Sequence, residues 1–458
     1  MTKKKYEKPV ISKIETRLAG KSPMVSPEFS QKIREDIDGI PISKLVKDFG
    51  SPLYVISERK IREKYLKAKE EFTKRYPNFQ FAWSYKTNYL KSVCAIYHDL
   101  GSLAEVVSSF EYEKARNLGV PGRDIIFNGP YKEPEALERA ASEDAMIHVD
   151  NFDEISDLEQ VSRKLDKIIP VAIRVNMDTG VYPRWSRFGF NFDNGQALDA
   201  IKRIKAGKRL TVRGLHTHIG TFILDPKAYA RAVEKLMSLA GHIKTIFGKP
   251  VEYLDLGGGF ASMSHLKGIY QPPEVVIPPV EAYAEAICEA LFRNIVDEPF
   301  PKLYLECGRH LIDEAGYLIT SILSARNLVN GQRGYVMDAG VNLLYTSTWY
   351  NYRVEADSQG SGNFESSALL GPLCMNIDVI EEVVMLPRLA RGTRLILSPI
   401  GAYNMTQSMQ FIHTRPATVL IRESGEVNVI RRKETFSDME IAESIPKDLQ
   451  ESVIRRFK

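Results

Sequence analysis

Cysteine is scarce in this chain. Its 458 residues hold four, Cys94, Cys288, Cys307 and Cys374, and no two of them stand in a CxxC pair. Neither a zinc site nor a disulfide framework is signalled. Four scattered thiols suit a reducing compartment. Long apolar runs are also missing: no stretch reaches the ~18 to 20 apolar residues of a membrane span. The first residues carry lysine and glutamate without the apolar core of a secretory signal, so the expected location is the cytoplasm. An excess of one charge is absent too. The net charge is +4, and the one basic cluster, Lys3-Lys4-Lys5, reads as a solvated end. Neither a nucleic-acid nor a membrane partner is expected.

What remains is an ordinary globular balance, 44% hydrophobic and 26% charged residues. The length suggests two domains. Residues 1–40 are polar, with scattered proline, serine and lysine, and read as an N-terminal extension. From about residue 80 short β-rich runs alternate with amphipathic stretches. The runs are Phe79–Tyr85, Leu103–Ser108, Asp124–Asn128, Met146–Asp150, Pro170–Asn176, Val212–Gly220, Tyr253–Gly257 and Lys302–Glu306. Helix-like segments such as Glu111–Leu118, Glu133–Ala141, Phe152–Leu165 and Pro279–Leu291 lie between them. This alternation predicts parallel strands with right-handed crossovers. A doubly wound open sheet would alternate in the same way. The count of eight, with a polar residue ending each run, favours a closed (β/α)8 TIM barrel over residues 58–315. After residue 316 the helical rhythm stops and β-rich pieces follow, so residues 316–458 read as a mostly-β domain. Residues 41–57 end in the strand-like Pro52–Ile56 and are expected to join that domain's sheet.

In such a barrel, chemistry gathers at the carboxyl ends of the strands. Those ends carry Lys86, Glu105, Asn128, Asp150, Arg174, His218, a Gly257-Gly258-Gly259 turn, and Glu306 with Arg309. Eight polar ends at one mouth suggest a ring around a charged ligand. Lys86, in Ser84-Tyr85-Lys86-Thr87-Asn88, has two readings: an ion pair, or a Schiff base through a desolvated amine of lowered pKa. Three glycines after the seventh strand let backbone N–H groups approach a phosphate. Glu306 could hold a cofactor's pyridine nitrogen protonated, or simply pair with Arg309. His216 and His218 share a strand face, so a two-histidine metal site is conceivable. No third ligand stands at a telling spacing, and no metal is expected; an imidazole stacked on a flat ring fits better.

Taken together, SYKTN, HTHIGT, LDLGGGF, ECGR, GPLCMNID and GAY resemble, in order, the fold-type III pyridoxal-phosphate decarboxylases. That group comprises the diaminopimelate, ornithine and arginine decarboxylases, and the diaminopimelate branch is the most similar. The resemblance spans nearly all of the chain from about residue 50 and implies an alanine racemase-like barrel. It makes pyridoxal 5'-phosphate the cofactor, Lys86 the Schiff-base lysine and His218 the residue stacked on the ring. It places Thr221 near the phosphate, Gly257, Gly258 and Gly259 in the phosphate loop, and Glu306 at the pyridine nitrogen. Arg309 would bind phosphate or substrate carboxylate, and Tyr403 phosphate and substrate. Cys374 would reach across a homodimer with shared active sites and protonate the product carbanion.

Two departures bear on the substrate. The family usually follows its cysteine with glutamate and serine, whereas this chain has Met375 and Asn376. It also usually carries an arginine in a segment like RPALY, whereas this chain has Thr346-Ser347-Thr348-Trp349-Tyr350. Tyr350 is kept and the arginine becomes Thr346. Both missing groups belong to recognition of the far end of the substrate, leaving Tyr350, Met375 and Asp378 as the substrate-facing residues expected there. The expected substrate is therefore a basic or modified amino acid other than meso-diaminopimelate. The alternatives are an amino-acid racemase on the same fold, which would pair the ring nitrogen with an arginine, and a non-catalytic homologue, which would usually lose Lys86 or Cys374.

Overall fold

The computed structural model describes residues 33–181, 183–295 and 299–458. The expected extension therefore lies mostly outside the described residues. Eight parallel strands close into a barrel: Phe79–Ser84, Leu103–Val106, Ile125–Phe127, Met146–Val149, Ile169–Asn176, Leu210–His216, Tyr253–Asp255 and Lys302–Leu305. Ring closure comes from Leu303–Leu305 beside Phe79–Phe81. The open-sheet alternative is thereby excluded. Six strands lie within the runs expected from the sequence, Ile169–Asn176 and Leu210–His216 begin one and two residues before theirs, and helix Phe152–Leu165 has the expected bounds.

The alternation of side chains along each strand builds the interior in layers. Ala82, Ile126, Met146, Ala172, Tyr253 and Tyr304 form an apolar plug inside the barrel. Two residues further along the same strands come Ser84, Asn128, His148, Arg174, Asp255 and Glu306. Polar groups thus begin one layer above the plug. Gly214 belongs to the plug layer and must lack a side chain, because a Cβ there would lie 2.5 Å from the Tyr253 ring.

Short capped turns fix the strand ends. The Ser108 hydroxyl accepts from the Glu111 N–H at 3.2 Å, while Glu111 accepts from the Val107 N–H at 2.8 Å. Asn151 and Glu154 repeat the device, with Glu154 accepting from the Asp150 N–H at 2.9 Å. Each helix start therefore clamps the end of the strand before it.

The second domain is a mostly antiparallel sheet in the order Val379–Arg388, Ser361–Leu370, Arg333–Met337, Gly316–Asn327, Leu53–Ser57, Thr418–Ile421, Val427–Arg431. Leu53–Ser57 lies between Gly316–Ile319 and Thr418–Ile421, so the segment before the barrel is built into this sheet. Two late helices, Phe436–Glu440 and Lys447–Phe457, follow the strands of this mostly-β region. Among the described residues, no helix is long and apolar enough to cross a membrane.

Candidate active site

The carboxyl end of the barrel and the second domain enclose a cavity of about 810 Å3. Lys86 lies in a single 3-10 turn straight after the first barrel strand. Its ammonium donates to both oxygens of Glu105, at 2.7 and 2.5 Å. The second domain holds this turn from the other side. The Tyr403 N–H donates to the Thr87 carbonyl at 2.8 Å, and the Thr406 hydroxyl to the Lys86 carbonyl at 2.9 Å. The amide of Asn88 reaches the Gly401 carbonyl at 3.2 Å. Lys86 and Tyr403 therefore meet because two domains share one backbone junction.

Burial alone would lower the Lys86 pKa, but Glu105 and Glu306 carry it above the ordinary lysine value. This corrects the expectation of a lowered pKa: in the ligand-free site the amine is a paired ammonium. Three buried carboxyls crowd the floor. Burial raises Glu105, Glu306 and, most of all, Asp255, which lies against Glu306. Like charges this close do not all ionise, and Asp255 is the group that stays protonated. The Asn128 amide donates to Glu306 and keeps its carboxylate aimed into the cavity.

Burial also holds His148, His216 and His218 well below the ordinary histidine pKa, so all three imidazoles are neutral. The Gly258 N–H donates to His218 Nδ1 at 3.0 Å, which leaves the ring proton on Nε2. His218 thus presents a flat, uncharged ring at the cavity wall, with Trp185 5.1 Å behind it. His216 Nε2 lies 3.5 Å from Glu306 Oε2. The expectation of no metal rested on the lack of a third ligand, and here the fold corrects the reasoning. His148, His216 and Glu306 offer ligand atoms within 4.8 Å of one another. His148 stands two residues before the strand end Asp150, so strand parity would have placed it inside.

At the opposite end of the cavity the chain is built for an anion. Gly259 has φ +95° and a Cβ there would lie 2.3 Å from the Gly220 carbonyl, so only glycine brings its backbone this close. Gly308 and Thr221 line the same cavity. Arg309 is buried between the rings of Tyr350 and Tyr403, 4.6 and 4.9 Å away. Among the described residues its one ion pair, with Asp313, spans 3.5 Å, and its Nε has no partner. A buried guanidinium N–H without a partner beside a glycine cradle suits a phosphate or carboxylate. Gly257 serves the framework, donating to Asp255 at 2.9 Å.

Not every expected residue faces this cavity. Cys374 is exposed and Met375 half-buried, on the turn between Ser361–Leu370 and Val379–Arg388, and neither lines the cavity of its own chain. Asp378 is corrected outright. Its two carboxylate oxygens accept from the Val341 and Leu373 N–H groups at 2.8 and 2.7 Å, so it ties the turn together rather than facing substrate. Thr346 and Tyr350 do line the cavity, as does the strand-end Arg174, together with residues that the sequence did not single out: Trp185, Phe222, Leu224 and Gln407.

Comparison with known proteins settles the family. The family described as "Pyridoxal-dependent decarboxylase, pyridoxal binding domain" matches residues 58–313, which is the whole barrel. The chain belongs to the pyridoxal-dependent decarboxylases. The cofactor of this family is pyridoxal 5'-phosphate, and the site fits it: a lysine amine, a flat neutral imidazole, a buried carboxylate and an anion cradle line one cavity. Among curated relatives, the chain is 29% identical over 412 residues to a diaminopimelate decarboxylase of Aquifex aeolicus, covering 87% of this chain and 93% of that one. It is 29% identical over 425 residues to one of Methanothermobacter thermautotrophicus, covering 90% and 95%. A crystal structure of diaminopimelate decarboxylase from Methanocaldococcus jannaschii superposes with a TM-score of 0.83 at 27% identity, covering 92% and 98%. As a decarboxylase of this family, the chain is a carboxy-lyase acting on a small amino-acid substrate.

Proposed function

We propose that this decarboxylase removes the α-carboxylate, as CO2, from a basic or modified amino acid that lacks the second amino-acid terminus of meso-diaminopimelate. The observation that carries the reading is the single cavity shared by Lys86, His218, Glu306 and the Gly259–Arg309 cradle. When bound, the cofactor acts as the electron sink for the bond that breaks. In this reading the Lys86 amine would hold the cofactor covalently, at the position where the substrate amine would bind. His218 keeps the ring in plane with its uncharged face, and Glu306 holds a proton at the ring nitrogen. Thr221, Gly259 and Arg309 would bind the phosphate end, Gly258 having spent its N–H on His218, and Tyr403 lines the same cavity with its ring 4.9 Å from the Arg309 guanidinium. In a homodimer with shared sites, the thiol of the partner's Cys374 returns the proton to the product.

The substrate assignment rests on missing charges. Hydrogen bonds to charged groups are worth roughly 1.5–3 kcal/mol each, and a second amino-acid terminus needs a cation and a carboxylate to hold it. Met375 carries no charge and Thr346 spends its hydroxyl on Tyr352 and Asn404, at 2.9 and 3.0 Å. Asp378 is committed to backbone. Neither Arg184, paired with Asp193, nor Arg353, 3.9 Å from Glu274, lines the cavity.

The purified protein should be yellow, and borohydride should fix a pyridoxyl group on Lys86. Lys86→Ala should lose nearly all CO2 release. Steady-state kinetics should rank diaminopimelate low, and a higher kcat/KM for diaminopimelate than for any single-terminus amino acid would overturn the substrate assignment. Loss of chirality without CO2 would make the enzyme a racemase.

A further inference from the structure

Every charged side chain that lines the cavity already has an ionic or hydrogen-bonding partner. Lys86 is held by Glu105, and Glu306 by Asn128. Arg174 faces Asp150 at 3.5 Å, Arg309 faces Asp313 at 3.5 Å, and Asp225, at the rim, pairs with Arg231 at 2.8 Å. Apart from Asp225, all of these lie at or beside the lysine and cradle ends. The rest of the lining carries no charge; it has polar members such as Thr346 and Gln407 and one continuous apolar face. Phe222, Ala261 and Tyr350 pack as one cluster with Leu224, Leu266 and Ile277 against it. Phe222, Leu224, Leu266 and Tyr350 face the cavity directly, as do Val181, Trp185 and Trp349.

An aromatic wall could in principle hold a cation by its π faces. Two of those faces are already taken. The guanidinium of Arg174 lies 4.5 Å and that of Arg187 4.8 Å from the centre of the Phe188 ring, and Arg309 lies 4.6 Å from that of Tyr350. A substrate ammonium there would meet like charge. A substrate carboxylate would find the two guanidiniums that line the cavity, Arg174 and Arg309, already facing Asp150 and Asp313. An ion placed against such a wall loses its hydration without a partner, which is the costliest kind of burial.

We propose that the substrate's side chain ends in an uncharged, bulky apolar group, such as an acyl or aromatic cap, seated against Phe222, Leu224, Leu266 and Trp185. This inference rests on the decarboxylase reading above and narrows its "basic or modified" substrate to the modified kind. In the shared-site dimer, the partner segment that carries the proton donor would add the side chains of Met375 and Ile377, and neither is charged.

The test uses the cofactor-loaded enzyme and matched pairs: lysine against norleucine, and lysine against Nε-acetyl- and Nε-benzoyl-lysine, with ornithine and meso-diaminopimelate as further charged-end probes. CO2 release gives kcat/KM, and the shift in cofactor absorbance on titration gives affinity whether or not turnover follows. The capped or neutral member of each pair should lead by on the order of a hundredfold. Leu224→Glu, which places a carboxylate on the wall, should move the preference at least tenfold toward lysine. A charged-end amino acid that equals or exceeds its capped partner in both kcat/KM and affinity would overturn the inference, as would an unchanged ranking in Leu224→Glu. Neither result would touch the decarboxylase reading, which fails instead if borohydride leaves Lys86 unmodified.

Discussion

The hydroxyl of Thr406, in the second domain, donates to the carbonyl of Lys86, in the barrel, at 2.9 Å. With the Tyr403 N–H on Thr87, it pins the turn that carries the amine. Tyr403 itself sits at φ +66°, a left-handed conformation that is uncommon for a residue with a Cβ and is held here by its surroundings. The junction makes the second domain part of the site's geometry.

Thr406→Val keeps the shape of that side chain and removes the donor. A neutral hydrogen bond contributes ~0.5–1.5 kcal/mol, so kcat should fall by up to about tenfold with little change in melting temperature. Visible circular dichroism of the bound cofactor should weaken as its lysine loses orientation. A variant with unchanged kcat and unchanged dichroism would show that the clamp does not position Lys86.

A second prediction concerns pH and stability. Burial pushes Glu381 up to about 7, although its carboxylate accepts from the Tyr352 N–H at 2.6 Å. The unfolded chain releases this proton near the ordinary glutamate pKa of 4.5. Between those values the folded state binds more protons than the unfolded state, so stability falls as pH rises through the window and is level above it. The cost at pH 8 is about 3 kcal/mol at most. Glu381→Gln keeps the acceptor for Tyr352 and has no proton to lose. Its melting temperature should exceed that of the unchanged chain at pH 8 and converge with it near pH 5. Parallel curves for the two proteins would refute the assignment.

How much of this was legible in the sequence follows from what each feature depends on. The eight barrel strands and their polar ends depend on local alternation, and runs such as Pro170–Asn176 carry it plainly. Glu111 and Glu154, which clamp strand ends, follow serine and asparagine caps by three residues, a signal readable in the chain. The role of Asp378 was not legible. A carboxylate near the expected cysteine looks like a ligand group until its two backbone N–H partners, from residues 341 and 373, are known. The apolar wall is likewise a tertiary fact, since Phe222 comes from a loop, and Leu266 and Tyr350 from two short strands that pair only when the barrel and the second domain meet. The long strands Gly316–Asn327 and Ser361–Leu370 lack strict alternation because the first changes from buried to exposed along its length and the second from exposed to buried.

The third prediction concerns metal. His148, His216 and Glu306 could hold a cation in common, but Glu306 also lies close enough to Lys86 to raise the pKa of its amine. A cation there would compete with the ammonium and, in the proposed reading, with the proton that Glu306 would hold at the cofactor. Dialysis against EDTA should therefore leave CO2 release unchanged, and elemental analysis should find far less than one ion per chain. Added Zn2+ should slow cofactor loading. Activity lost on chelation and restored by Zn2+ would make the cluster a working metal site.

The last prediction concerns assembly. Cys374 is exposed, beside Asn376 and Ile377 on a turn whose apolar Ile377 is 69% exposed, and it lies outside the cavity that holds Lys86. In the proposed reading, a thiol in that position serves the reaction only if a second copy brings its turn to this cavity. A two-fold dimer does this symmetrically, because each turn then serves the other cavity. Lys86→Ala and Cys374→Ala homodimers should each retain little activity. In a mixed dimer one of the two sites combines an intact Lys86 with the partner's intact Cys374, while the other lacks both. Equal mixing makes half of the dimers mixed, and each has one working site, so activity should return to about a quarter of that of the unchanged enzyme. Subunit exchange must be verified independently, for instance by mass spectrometry of differently tagged chains. Complete exchange with no recovered activity would show that each chain supplies its own proton donor, and Cys374 would then lose its proposed role while Lys86 kept its own.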